Sequence, residues 1–330
     1  MSLSSNIYFK EVGHRYTNEA GNEYISATTI IGKYEIKFDE KANQIARACS
    51  KIGKNRHHPK YEKYKGMSPS QILAKWERAK IKGQDIGNAK HSYLETSVKD
   101  ASSFYSVFGT KYKSTNPDIP VLLYTVENIK DNPNSGQLDL DYFVSTGVKD
   151  KYPKIFNIIE AFVRDGWRIY SEVGVFHNGF LISGLIDILF VKGNKFVILD
   201  WKTNKDDVVF EGGYWEKDIN DVTTTYKQTD DTFRFPLHKL ELSVGNKYAL
   251  QLSLYAFLAE ELGLTHVSNI LCHIRHEPYD IGDDDIIEHP DWLGKNKVDV
   301  MPMPYLKHDI QNMIYDYADK RIGTQHSMFN

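Results

Sequence analysis

The segment from residue 172 to residue 204 carries two hairpin signals in close succession, and this pattern constrains the fold of the 330-residue chain more than any other. Asn178-Gly179 and Gly193-Asn194 each lie between apolar runs that are rich in β-branched residues. Dipeptides of this kind favour the tight turns that join antiparallel strands. The segment therefore predicts three neighbouring antiparallel strands.

The second turn determines which side chains of the last two strands face each other. If Gly193-Asn194 is a two-residue loop, Lys192 pairs with Lys195, and counting outward places Asp187 opposite Asp200. Opposed residues of an antiparallel pair share one face, so this count brings two carboxylates together. Like charges in this position repel each other, and a divalent cation or a nearby lysine reduces that cost.

The register set by the first turn adds two further side chains to the face that carries the aspartates. Counting from Asn178-Gly179 places Glu172 opposite Leu185, which in turn lies opposite Lys202. Glu172 and Lys202 are then expected to project from the face that carries the two aspartates. A β-bulge in either hairpin would break this count.

The simplest alternative is a set of ordinary strands with polar ends. Phe196-Val197-Ile198-Leu199 is a continuous apolar run, which is typical of a strand buried on both faces. Asp200 and Lys202 at the end of such a strand are costly unless they are paired or bind a ligand. The spacing therefore favours a metal site over the alternative.

Several short motifs resemble those of the PD-(D/E)xK nuclease superfamily. Gly184-Leu185-Ile186-Asp187 is similar to its GxxD motif, and Asp200-Trp201-Lys202-Thr203 is similar to its DxK motif. Residues 24–31 resemble a segment of the phage and mitochondrial single-strand exonucleases in the RecB-like branch of this superfamily. Gln251-Leu252-Ser253-Leu254-Tyr255 resembles the QxxxY motif of that branch, and Gly87-Asn88-Ala89-Lys90-His91 resembles the GxxxH helix that supplies a histidine metal ligand. The QxxxY and GxxxH motifs are individually weak. The matches follow the order of the family.

The resemblance implies a centre for phosphodiester hydrolysis that depends on Mg²⁺ or Mn²⁺. Asp187, Asp200, the main-chain carbonyl of Trp201 and His91 would hold the metal. The alternative for His91 is a solvent-facing histidine on a helix.

The resemblance also implies roles for residues around the metal. Lys202 would orient or deprotonate the attacking water, and Glu172 would hold a second metal through water or orient Lys202. Gln251 would bridge the site to a DNA phosphate, and Tyr255 lies on the same helical face because it is four residues further on. The alternative for Gln251 and Tyr255 is ordinary helix packing.

The cysteine content limits the cofactors and the compartment. Cys49 and Cys272 are too few for the four-cysteine iron–sulfur cluster of some family members, so we expect no cluster. Two cysteines also suit a reducing compartment. No apolar stretch approaches the roughly 18 residues of a membrane span, and the N-terminus lacks a signal-peptide core. We expect a cytoplasmic protein without a membrane partner, in the host cytoplasm if it is phage-encoded.

Residues 41–82 are strongly basic, with twelve Lys or Arg against two Glu, although the whole chain has a net charge of −3. Aromatic residues are interleaved with the basic ones, which suits single-stranded nucleic acid because cations meet phosphates and bases stack on rings. The alternative is a solvated helical surface. The candidate nucleic-acid contacts are Lys51, Lys54, Arg56, Lys60, Tyr61, Lys63, Tyr64 and Lys65.

The chain as a whole predicts an α/β protein. We expect a restriction-endonuclease-like core at residues 150–330, with a mixed central sheet flanked by helices and an insertion at about 206–246. Residues 1–149 are expected to form a helical, basic DNA-binding lobe that includes the GxxxH helix. Within this part, residues 137–145 are expected to form a strand.

The expected function is that of a metal-dependent DNA exonuclease. It would act on single-stranded DNA or DNA ends in replication, recombination or repair, with proteins of these processes as partners. Two alternatives stay open: a structure-specific or defence-related endonuclease of the same superfamily, and a catalytically silent nucleic-acid-binding protein.

Overall fold

The computed structural model of the protein describes residues 6–36, 39–104, 118–204, 206–217, 223–276 and 296–327. The chain forms two units. The first unit comprises residues 1–31, 90–203 and 248–330, and the second comprises residues 32–89 and 204–247. Both units therefore contain separate stretches of chain, unlike the two consecutive segments that the sequence led us to expect.

The strands of the described residues form two sheets. In chain order they are β1 (Ile7–Lys10), β2 (Arg15–Asn18), β3 (Glu23–Ser26), β4 (Val121–Leu122), β5 (Arg168–His177), β6 (Ile182–Lys192), β7 (Lys195–Lys202), β8 (Gly213–Lys217), β9 (Thr223–Gln228), β10 (Thr265–His276) and β11 (Asn296–Met303). The first unit holds a mixed sheet with the order β11-β10-β7-β6-β3-β2-β1-β4, and β5 also pairs with β6. The predicted α/β class with a mixed sheet is confirmed.

The helices are α1 (Ala27–Gly32), α2 (Asp39–Cys49), α3 (Pro69–Ala101), α4 (Val126–Asp131), α5 (Leu140–Ser145), α6 (Val148–Lys151), α7 (Pro153–Arg164), α8 (Val244–Glu261) and α9 (Lys307–Ser327), with a 3-10 helix at Pro59–Tyr64. The prediction of a strand at residues 137–145 is wrong. Helix α5 forms there because the Asp139 side chain accepts a 3.0 Å hydrogen bond from the Tyr142 backbone N–H and caps the helix.

The hairpin between β6 and β7 has the predicted register. Lys192 pairs with Lys195 across Gly193-Asn194, and the pairing continues to Ile188 and Leu199. Gly193 has φ of 63°, which glycine adopts at little cost in a tight turn. Asp187 and Asp200 are the next residues beyond the last pair, so the predicted count holds up to their positions.

The hairpin between β5 and β6 has a different register from the predicted one. His177 pairs with Ile182, so the connection has four residues, and Gly174 rather than Glu172 lies opposite Leu185. The longer loop forms because the His177 ring accepts a 3.1 Å hydrogen bond from the Phe180 backbone N–H. The shift of two residues keeps the alternation of faces and moves Glu172 level with Asp187.

One edge of β6 changes its partner along the strand. On this edge, residues 188–192 pair with β7, and Ile182 and Ser183 pair with β3. The opposite edge of β6 pairs with β5. Between the pairings with β7 and β3, residues 184–187 have no strand partner on the first edge within the described residues. The GxxD motif lies in this gap, where β7 has separated from β6.

The main hydrophobic core packs the C-terminal part of α3 and helix α7 against the sheet. It buries side chains from both helices and from β5, β6, β7, β10 and β11, including Leu94, Val98, Ile155, Phe156, Ile159, Ile169, Ile188, Phe190, Leu199, Trp201, Cys272, Ile274 and Val298. Trp201, the central residue of the DxK motif, is fully buried. This core holds the end of β7 in place.

The second unit combines the basic segment with the insertion. Ala46, Cys49, Tyr64 and Ile72 form its small helical core. Strands β8 and β9 form a separate hairpin within the insertion. The Arg234 backbone N–H donates to the Tyr34 carbonyl at 2.7 Å, and Lys247 pairs with Glu35 at 2.8 Å. These contacts tie the insertion to the segment before α2.

Candidate active site

Two buried carboxylates lie where β6 and β7 separate. Asp187 is 8% exposed and Asp200 is 1% exposed. The Trp201 backbone N–H donates a 3.1 Å hydrogen bond to Asp187 Oδ2. The carboxylate of Asp187 therefore accepts a hydrogen bond from a backbone N–H of β7, at the point where the pairing between β6 and β7 ends.

Lys202 supplies a positive charge to this pair. Its Nζ lies 2.6 Å from Asp200 Oδ2, and its side chain is mostly buried. Burial alone would lower the pKa of Lys202, but the carboxylates of Asp200 and Asp187 outweigh burial and raise this pKa. Lys202 is therefore protonated at neutral pH.

One lysine does not compensate for both carboxylates. Burial and then the negative charge of Asp200 raise the pKa of Asp187 well above its usual range, and Lys202 offsets only part of this effect. A further cation at the pair would favour the ionised form of Asp187. The electrostatics of the cluster therefore suit a bound cation.

His91 and Trp201 hold each other through two hydrogen bonds. The Trp201 indole N–H donates to His91 Nδ1 at 3.0 Å, and His91 Nε2 lies 3.0 Å from the Trp201 carbonyl oxygen. Because the indole can only donate, Nδ1 accepts and the proton of the neutral ring is on Nε2. Burial, followed by the charge of Lys202, lowers the pKa of His91 to about 4, so the ring is neutral at pH 7.

These bonds bear on the predicted metal-binding role of His91. Its Nδ1 lies 3.8 Å from Asp187 Oδ2, so the structure brings the histidine to the carboxylate pair. Both ring nitrogens already have hydrogen-bond partners in Trp201, and a metal would have to replace one of them. As it stands, His91 orients the side chain and the carbonyl of Trp201.

The donor atoms of the cluster fit a hard divalent cation. Among the described residues, no group of three or more His, Cys, Asp and Glu side chains is placed to hold a metal ion. Mg²⁺ needs fewer protein ligands, because it retains several waters and is held by one or two carboxylates. Asp187, Asp200 and the Trp201 carbonyl provide oxygen donors of this kind.

The QxxxY motif packs against the GxxD motif. A Cβ on Gly184 would lie 2.2 Å from Cε1 of Tyr255, so only glycine leaves room for this ring. Gln251 Nε2 donates a 2.8 Å hydrogen bond to the Tyr255 hydroxyl. Burial, followed by the charge of Asp200, raises the pKa of Tyr255 well above its usual value, so its hydroxyl stays protonated.

Two residues of the cluster were missed by the sequence analysis. Lys202 Nζ lies 5.4 Å from the ring centroid of Tyr248, at cation–π distance. Glu95 pairs with Lys99 at 2.5 Å, and its charge adds to burial and Asp200 in raising the pKa of Asp187. Helical spacing was the available signal, since Tyr248 precedes Gln251 by three residues and Glu95 follows His91 by four.

Glu172 lies on an irregular part of β5. The pairing with β6 runs through Ser171 and Val173 but skips Glu172, whose φ is 55°. Burial, followed by the charge of Glu172, raises the pKa of Tyr16. The structure places Glu172 half-buried and level with Asp187, and its role stays a prediction.

The predicted nucleic-acid contacts lie in the second unit and differ in exposure. Lys51, Lys54, Arg56 and Lys65 are exposed, Tyr61 and Lys63 are half-buried, and the Lys60 side chain lies outside the described part of the chain. Tyr64 is only 8% exposed, and its hydroxyl accepts a 2.9 Å hydrogen bond from the Trp76 indole. Its ring belongs to the helical core and is not presented for base stacking.

Comparison of the chain with models of known protein families and with curated proteins gives no match in either case. No helix in the described ranges combines the length and the apolar character that crossing a bilayer requires. The geometry and charge of the cluster are therefore the basis for assigning a function.

Proposed function

We propose that the protein is a divalent-metal-dependent deoxyribonuclease of the PD-(D/E)xK type, which digests DNA from single-stranded or free ends. The observation that carries this proposal is the buried cluster of Asp187, Asp200 and Lys202 at the separation of β6 and β7. Phosphodiester hydrolysis needs a cation site and a positive charge for the phosphate, and the cluster has groups for both. The proposed setting is cytoplasmic replication, recombination or repair.

The carboxylates of Asp187 and Asp200, with the Trp201 carbonyl, would hold Mg²⁺ or Mn²⁺. Such an ion, when bound, acts as a Lewis acid and lowers the pKa of a coordinated water. The raised pKa of Asp187 makes the site dependent on pH, because the protonated form of Asp187 binds a cation poorly.

Lys202 acts as a cation beside the scissile phosphate. Its pKa is raised, so it keeps its proton at neutral pH and serves to stabilise negative charge and to orient water. The 2.6 Å ion pair to Asp200 and the ring of Tyr248 fix the position of the ammonium group. A role as general base would require this pKa to fall when substrate binds.

The surrounding residues keep the cluster in position. His91 orients the Trp201 carbonyl by donating a hydrogen bond to it. Tyr255 packs over Gly184, and Gln251 holds the Tyr255 hydroxyl. Preorganised polar groups of this kind do not need to reorganise when charge develops in the transition state.

The direct test is digestion of end-labelled linear and circular single-stranded DNA by the purified full-length chain, with Mg²⁺, Mn²⁺ or EDTA. We expect metal-dependent loss of the linear substrate, and resistance of the circle. Asp200→Asn should remove this activity while the far-UV circular dichroism spectrum stays unchanged.

A matched control comes from the exposed pair Lys192 and Asp165, whose charged atoms lie 3.1 Å apart. Asp165→Asn removes an aspartate that pairs with Lys192, a residue of the β6–β7 hairpin that also carries Asp200. This substitution should leave activity unchanged. Full activity of Asp200→Asn would refute the proposed centre. Cleavage of the circle would identify an endonuclease, and DNA binding without cleavage would identify a catalytically silent protein.

A further inference from the structure

The loop that follows α2, residues 50–58, presents an apolar side chain among basic ones; we refer to it as the basic loop. Lys51, Lys54 and Arg56 are all exposed. Ile52 is 71% exposed, the largest exposed fraction among the large apolar side chains of the described residues. Burying an apolar side chain is favourable, so Ile52 retains apolar surface that a partner could cover.

The backbone of the basic loop is held in a defined conformation. Backbone hydrogen bonds of 3.0–3.1 Å tie it to α2 and to the segment before α3: Ser50 to Ala46, Asn55 to Ala48 and Lys51 to Met67. Gly53 lies so close to the end of α2 that a Cβ there would be 1.9 Å from the Arg47 carbonyl oxygen. The outward position of Ile52 is therefore part of an ordered loop.

The stabilisation of helix α2 by nearby cations explains the lysines of the basic loop, but it does not explain the exposed isoleucine. Cations are favourable near the C-terminal end of a helix, and this effect explains lysines after α2. It does not explain Ile52, which gains nothing from the helix dipole. In the described part of the chain, Lys51 and Lys54 form no ion pair, so their charges are available to a partner.

We propose that the basic loop binds DNA where a single strand meets a duplex, with its cations on phosphates and Ile52 packed as a wedge against the terminal base pair. This inference rests on the proposed function, because a nuclease that digests one strand of a duplex end must open that end. Apolar side chains unstack base steps in this way in other DNA-binding proteins. Isoleucine has no ring for stacking and is stiff at χ1, which suits separation of a base pair.

The test uses a DNA duplex with a single-stranded tail and 2-aminopurine in the first base pair, bound to the full-length chain in EDTA. Fluorescence of 2-aminopurine rises when the base is unstacked, so the measurement does not depend on cleavage. Wild-type protein should raise the fluorescence, and Ile52→Ala should bind with an affinity within about twofold of wild type but lose most of the rise. Ile52→Leu should restore it.

Ile119→Ala is the matched control, because Ile119 is a 54% exposed isoleucine of the first unit. In a parallel cleavage assay, Ile52→Ala should slow digestion of the tailed duplex about tenfold, equivalent to about 1.4 kcal/mol, and leave digestion of a plain single strand unchanged. An unchanged fluorescence rise in Ile52→Ala would overturn the wedge.

The remaining outcomes separate this inference from the proposed function. A fluorescence rise that depends on Ile52, in a protein without cleavage activity, would support the wedge and refute the nuclease. Failure of the wild type to bind the tailed duplex would overturn the basic loop as a DNA surface. Binding to phosphatidylserine vesicles that is lost in Ile52→Ala, with DNA binding unaffected, would assign the loop to a membrane surface and overturn the proposal.

Discussion

The carboxylate cluster of the first unit and the basic loop of the second unit use charge in opposite ways. Asp187, Asp200 and Lys202 are mostly buried and act on one another at short range. Lys51 and Lys54 are exposed to solvent. Removing one buried group leaves another charge uncompensated, whereas exposed charges contribute small, salt-screened effects that nearly add.

The same contrast extends to the composition of the units. The first unit contains 21 Lys or Arg against 29 Asp or Glu, and the second contains 20 against 15. On this balance of charge we expect a polyanion such as DNA to be attracted to the second unit, and a metal cation to be attracted to the carboxylates of the cluster. We therefore expect variants of the cluster to change turnover and variants of the basic loop to change affinity.

The largest expected difference between the two regions is in the cleavage rate after one lysine of each region is replaced by alanine. Lys202→Ala should lower the cleavage rate at saturating DNA by about 10²–10³-fold, because a preorganised charge at the reacting phosphate is lost. Lys51→Ala should leave this rate nearly unchanged and weaken DNA binding slightly. Single-turnover kinetics measure both. Equal effects of the two variants on the rate would break the contrast between the regions.

The second effect concerns packing around the cluster. Gly184→Ala should destabilise the protein by about 1–3 kcal/mol, because its methyl group would collide with the Tyr255 ring. Gly83→Ala, on α3 in the second unit, meets no atom within 4 Å and should stabilise the helix by about 0.5–1 kcal/mol. Urea denaturation compares the two. A neutral Gly184→Ala would mean that Tyr255 does not pack as described.

The third effect is a dependence of stability on pH. The pKa of Asp187 is higher in the folded state than its unfolded value of about 3.9. Between these two pKa values the folded state binds more protons than the unfolded state. The free energy of unfolding of the metal-free protein therefore falls as pH rises through this interval. Asp187→Asn should therefore be more stable than wild type at pH 8 in EDTA, with a smaller difference at pH 5. Each unit of pKa difference corresponds to about 1.4 kcal/mol. Lower stability of Asp187→Asn at pH 8 would contradict the raised pKa.

The smallest effect per residue is expected in the basic loop. Each phosphate contact to single-stranded DNA contributes a slope of about −0.7 to the plot of log affinity against log salt concentration. Replacing Lys51, Lys54 and Arg56 with alanine should flatten that slope by up to about 2 units. Superimposable salt titrations of the triple variant and wild type would show that these residues form only a solvated surface.

Local rules predicted the cluster well because its residues lie on neighbouring strands. The two-residue turn at Gly193-Asn194 fixes the register of β6 and β7, so Asp187 and Asp200 could be placed from sequence. The same reasoning misplaced Glu172, because the His177 ring stabilises a longer turn after β5. A side-chain hydrogen bond to the backbone is not visible in an apolar pattern.

Features that depend on tertiary packing could not be predicted from the sequence. Tyr248 on α8 and Glu95 on α3 stand at helical spacing from Gln251 and His91, but many other helical residues share such spacing, so the pattern alone did not single them out. Tyr64 was predicted to contact DNA, but its ring packs in the helical core of the second unit, where its hydroxyl accepts a hydrogen bond from the Trp76 indole. Aromatic residues within a basic segment thus need a burial measurement before they are assigned to a surface.

The most direct test of the carboxylate cluster is isothermal titration calorimetry with Mn²⁺ in two buffers of different ionisation enthalpy. Wild-type protein should bind Mn²⁺ and release protons at mildly acidic pH, because the metal displaces the proton favoured by the raised pKa of Asp187. Asp187→Asn should bind more weakly without this release, and Asp165→Asn should match wild type. Mn²⁺ binding that is equally strong in Asp187→Asn and Asp200→Asn, or absent from the wild type, would contradict a metal centre at these carboxylates.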